Sequence, residues 1–148
     1  MGATFTAAMG VAQYKAQGAA GKYNQSVANR NAAVLEGQAD QIEAKAEFDI
    51  AQFQKDFRKM EGETTVALAK SGVELGTGTA ANIELSNAYE ARLQENLIRY
   101  NSQVAANNKM EEANFAKISG QMAKQQSRLA QINTVASTGS LLYGMKNT

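Results

Sequence analysis

Asp40, Glu43 and Glu47 recur at i, i+3 and i+7, a spacing that puts three carboxylates on one face of a helix. Clustered carboxylates bind hard cations. A di-iron carboxylate site also needs Glu-x-x-His pairs, and the chain has no His. Glu111 and Glu112 are adjacent, so they point to different faces. Without His or Cys there is no imidazole base, no thiol nucleophile and no zinc site of the usual nitrogen and sulfur ligands. The segment Gly72–Gly78 has three glycines, but no Gly-Lys-Ser/Thr follows, so it does not read as a phosphate loop. Gly76-x-Gly78 lacks the third glycine of the dinucleotide fingerprint. The residues therefore read as those of a non-enzymatic protein, with no catalytic residue, no metal ligand and no cofactor assigned.

The elements that position these residues are helical. The 148-residue chain contains 27 Ala and 13 Gln but no Pro, so good helix formers abound and nothing forces a break. Strand-like alternation is not sustained anywhere. No uncharged run is apolar and long enough for a membrane span, and the N-terminus lacks the basic region of a secretory signal.

Apolar residues follow helical periods in two arms. In the first, Leu35, Ala39, Ile42 and Ala46 lead to Ile50, Phe53, Phe57, Met60, Thr64 and Ala67, with one stutter between Ala46 and Ile50. In the second, a seam runs through Leu97, Asn101, Val104, Asn108, Glu111, Phe115, Ile118, Met122, Gln125, Leu129, Ile132 and Ala136. Its spacing alternates four and three. Between the arms, Gly72 is placed to end one helix in the left-handed conformation, and Thr77 or Thr79 to cap the next. Glu84 falls in its opening turns, where the helix dipole favours an acid.

The expected fold is all-α: a long antiparallel helical hairpin with a Gly-rich turn near the midpoint, assembling into a ring or bundle. The chain reads as one helical domain. An apolar, small-residue segment over 1–22 is followed by a first arm over 23–70, a turn over 71–79, a second arm over 80–134 and a small-residue tail over 135–148. The first arm is expected to be interrupted near Gly18 and Gly21. A two-helix hairpin buries little surface by itself, and Asn101, Asn108, Glu111 and Gln125 interrupt the seam. Packing into a homo-oligomer or onto larger partners is therefore expected. The oligomer or packing seam comprises Ile50, Phe53, Phe57, Met60, Leu97, Val104, Phe115, Ile118, Met122 and Leu129.

Net charge is +1, but its distribution is uneven. Residues 1–35 and 113–148 carry no acid, and all 14 acidic side chains lie in 36–112. The basic residues of the two ends, Lys15, Lys22, Arg30, Lys117, Lys124, Arg128 and Lys146, are the candidate contacts to an anionic partner. No nucleic-acid readout motif is present, so any DNA contact would be non-specific and through phosphates.

Small residues mark both ends. Ala8, Ala12, Ala16 and Ala20 recur every four residues, a pattern that lets helices approach closely. Met1, Phe5, Met9, Val11 and Tyr14 add apolar bulk beside them. At the other end stand Val135, Leu141, Leu142, Tyr143 and Met145, with Gly139 and Gly144 between. Such ends are compatible with interfacial membrane contact, with contacts to neighbouring subunits, and with disordered tails.

Two strings, Ala69-Lys70-Ser71-Gly72-Val73-Glu74-Leu75-Gly76-Thr77-Gly78-Thr79 and Ile98-Arg99-Tyr100-Asn101, sit among Ala/Gln-rich helices. The chain ends in the small-residue stretch Ala136–Gly144. Taken together, these features resemble the small internal virion (core or ejection) proteins of short-tailed phages. The resemblance implies residence inside the capsid or at the portal or tail vertex, stacked with portal and other core proteins. It implies departure with the genome and a part in a DNA-translocation conduit across the host envelope. The implied partners are packaged DNA and the host membrane. The chain is somewhat short for that family. Two alternatives remain: a static portal-, tail- or scaffold-associated virion component, and a non-viral secreted helical-hairpin adaptor.

Overall fold

The computed structural model describes the backbone of residues 2–146, with side chains described for 7–141, 143 and 144. Met1, Phe5, Leu142, Met145 and Lys146, named above for their side chains, lie outside those described. Two helices account for nearly all of it: α1 over Gly2–Lys70 and α2 over Gly78–Lys146. They pack against each other as a helical hairpin. Among the described residues there is no strand.

Backbone hydrogen bonds show how the turn closes. Gly72 N–H donates to the Ala69 carbonyl at 3.2 Å, and Val73 N–H donates to the Leu68 carbonyl at 3.3 Å. These two bonds, around a glycine at φ +77°, form the Schellman termination of a helix. Gly76 and Gly78 also have positive φ, at 76° and 52°. The Thr77 carbonyl accepts the Ala81 N–H at 3.4 Å, which makes Thr77 the residue that opens α2. Its hydroxyl instead donates to the Glu74 carbonyl at 3.5 Å, bracing the loop. Replacing Gly72 by Ala puts a Cβ into the left-handed region and should cost about 1–2 kcal/mol. Thermal unfolding followed by circular dichroism checks this, and an unchanged Tm would refute it.

α1 runs unbroken through Gly18 and Gly21, contrary to the expected interruption. Glycine weakens a helix by about 1 kcal/mol but does not remove a backbone donor as proline does. Here the missing side chains are also used in packing. The changes of composition at 22/23 and 134/135 fall inside the two helices.

By its contacts the chain forms two compact units: Met1–Glu36 with Met110–Thr148, and Gly37–Lys109. In the first, the interhelical face is made of very small residues. Ala32 and Ala113 are fully buried, and Gly21 and Gly120 are buried. A methyl group on Gly21 would meet Ser127 Cβ at 2.5 Å, and one on Gly120 would meet Ala28 Cβ at 2.5 Å. Gly10 faces Thr138 and Gly18 faces Gln131 with the same crowding. Close backbone approach brings side-chain donors onto the opposite helix: Ser127 Oγ donates to the Gln17 carbonyl, and Gln131 Nε2 donates to the Tyr14 carbonyl at 2.9 Å. The four-residue alanine row Ala8, Ala12, Ala16 and Ala20 is exposed, so it is not the row that brings the helices together.

In the second unit, Ala39, Ala46, Ile50, Ala80, Ala91 and Ala106 are buried. Phe53 and Phe57 are half-buried and stack on each other with centroids 6.4 Å apart. Ser102 Oγ donates to the Ile42 carbonyl at 3.4 Å, and Arg99 pairs with Glu47 at 2.8 Å. Ile42 is half-buried and Ala39 and Ala46 buried, and Leu35 is half-buried in the first unit, so the first-arm pattern from Leu35 to Phe57 marks the contact face. Its last large member, Met60, is 45% exposed.

The second-arm seam is not packed within the chain. Leu97, Val104, Phe115, Ile118, Met122 and Leu129 are all exposed, with Phe115 at 74%. Asn101, Asn108, Glu111 and Gln125 are exposed with them. The face turned to α1 is instead the ladder Ala106, Ala113, Gly120, Ser127 and Thr134, seven residues apart throughout. Both rows have helical periodicity. They lie two residues apart, about 200° round the helix, which is nearly its opposite side. The smaller row wins the intramolecular contact because small side chains let two backbones approach closely.

Candidate assembly face and basic groove

Each unit presents a row of large apolar side chains on the outer side of α2. In the first unit the row is Phe115, Ile118, Met122, Leu129, Ile132 and Val135, each at least 54% exposed. In the second it is Leu85, Tyr89, Leu93, Leu97, Tyr100 and Val104, each at least 43% exposed. Contiguous exposed apolar surface beyond a few hundred Å² marks an interaction site. Six side chains of this size in either unit exceed that, at roughly 100 Å² each.

The first unit also holds a groove between α1 and α2, of about 470 Å³. Lys15 and Lys22 line it from α1, and Lys124 and Arg128 from α2. Gly18, Gly21, Ser127 and Gln131 form its floor, which follows from the close approach at those glycines. A neighbouring groove shares Tyr14 and is lined by Ala7, Gly10, Val11, Thr134, Val135, Thr138 and Gly139.

Four of the seven sequence-nominated cations thus line one groove. Lys117 and Arg30 do not join it. Lys117 pairs with Glu36 across the helices, and Arg30 is exposed outside the groove. The Lys117–Glu36 pair is partly solvated, so it contributes tenths of a kcal/mol and serves mainly to fix register. Asp40, Glu43 and Glu47 lie around a polar depression with Arg99, whose guanidinium takes Glu47. Among the described residues no three acidic side chains are grouped to hold a metal ion. No described helix is long and apolar enough to cross a membrane.

Sequence reasoning missed Glu36, Gln17, Ser127 and Gln131 as interhelical partners, and Gly10, Gly18, Gly21 and Gly120 as close-approach points. The seven-residue recurrence of small residues from Ala106 to Thr134 was the available signal.

Searches of protein-family models, of curated proteins and of solved structures find no match to this chain.

Proposed function

We propose that this chain is a structural, non-enzymatic subunit of a phage particle. It belongs to the internal core or portal vertex, leaves with the genome and helps form a conduit for DNA across the host envelope. The observation that supports it most is the two-sided character of α2. The small face is spent on α1, and the large apolar face is left for neighbours in an assembly. A ring or bundle of copies, with portal and core proteins beside it, covers such a face. The setting comes from the resemblance of the Ala69–Thr79 and Ile98–Asn101 strings to internal virion proteins, and the first of these strings makes the turn of the hairpin.

Quantitative mass spectrometry of purified full particles and of particles triggered to release DNA tests this reading. The chain should be present in the first and lost from the second. Retention at full copy number would make it a fixed building block of the portal or tail. Absence from both would overturn the mature-virion assignment and leave the scaffold and secreted-hairpin alternatives.

A further inference from the structure

Lys15, Lys22, Lys124 and Arg128 share one groove in which no acidic side chain takes part. None of the four has an ion-pair partner among the described residues, whereas Lys45, Arg99 and Lys117 each have one. The positions three and four residues away on either side supply no acid either. Lys124 and Arg128 are themselves an i, i+4 like-charge pair, an arrangement that destabilises a helix. The groove therefore concentrates positive charge that the fold leaves uncompensated. It does so where the two backbones are held close by Gly18 and Gly21.

The geometry points to a groove that takes the phosphodiester backbone of a nucleic acid, non-specifically. Lys15 and Lys22 are seven residues apart, about 10 Å along α1. That span covers about three phosphate-to-phosphate steps of one strand, at about 3.4 Å of axial rise each. A single phosphate would leave most of the four charges unmatched. The lining apart from the cations is Tyr14 with small and polar residues, and it holds no large aliphatic side chain to enter a bilayer. A concave slot admits a strand but not the plane of a membrane. Nothing in the groove reads base edges, so sequence preference should be absent.

Fluorescence anisotropy of the full chain with a labelled duplex of about 30 bp, across roughly 50–200 mM salt, tests this inference. With four phosphate contacts, log K should fall against log salt with a slope of about −3.6, a loss of about 10²-fold over that range. Replacing Lys15 and Lys22 by Gln should reduce the slope by about 1.8, and the Lys124→Gln, Arg128→Gln pair should do the same. Lys55→Gln with Lys59→Gln, in the other unit, should leave it unchanged. Circular dichroism confirms that each variant keeps its helices. No binding at the lowest salt, or a slope indifferent to the groove variants, overturns the inference. So does capture by phosphatidylglycerol vesicles in the absence of DNA binding, which would give the groove to lipid. Purified chain and synthetic DNA decide this question, while particle composition decides the virion assignment, so either can fail alone.

Discussion

Gly120→Val should lower the stability of the hairpin by about 3 kcal/mol, while Gly62→Ala should raise it by about 1 kcal/mol. The two glycines lie inside long helices, more than a turn from either end, and have the same intrinsic cost there. They differ in what a side chain would meet. At Gly120 the first added carbon already stands 2.5 Å from Ala28 Cβ, with the Gln25 backbone 3.5 Å away. Neither neighbour has a torsion that could move it aside, so the helices must separate. Separation also strains the Ser127–Gln17 and Gln131–Tyr14 bonds, which need the same close approach. At Gly62 nothing lies within 4 Å, and alanine gains helix propensity without a clash. Thermal and urea unfolding of both variants is the check. Shifts of the same sign would remove glycine packing as the organising contact of the first unit.

Phe115→Ser, Ile118→Ser, Met122→Ser and Leu129→Ser together should abolish self-association and leave the hairpin folded. All four side chains are more than half exposed, so their loss removes little intramolecular packing. Each contributes on the order of 1 kcal/mol or more if buried between copies, so the combined variant should weaken association at least 10³-fold. Sedimentation equilibrium gives the mass, and circular dichroism gives the helicity. An assembled wild-type chain and a monomeric, equally helical variant are expected. If the mass does not change, the outer face of α2 is not the assembly surface. If helicity collapses, the row supports the hairpin itself.

Much of the architecture was legible in the sequence because its causes are local. A chain without proline, rich in alanine and glutamine, and broken once by three closely spaced glycines has few ways to avoid two helices. Gly72 takes the left-handed residue of the turn because a glycine there has no Cβ to collide. The apolar spacing from Leu35 to Phe57 marked its face correctly, since the small and large members of that row share one side of α1. In α2 they do not. Two rows with the same period lie on opposite sides, and bulk alone favours Phe115 and Leu129 over Ala113 and Ser127. Which row faces α1 depends on the pairing of specific positions across the two helices, such as Gly21 with Ser127, more than 100 residues apart in sequence. The basic groove was legible as a set of seven cations but not as a group of four. That selection depends on helix phase and on Glu36, an acid just inside the acidic stretch that claims Lys117.

The return of α2 beside α1 places Gly10 next to Thr138. A force that draws these two ends apart meets the contacts in order. Gly10 on Thr138 opens first, then Gly18 on Gln131, Gly21 on Ser127, and Ala28 on Gly120. Only one pair bears the load at a time, and each pair is small. The same contacts pulled along the helix axis would share the load and resist together. This part of the hairpin is therefore compliant to peeling and stiff to shear.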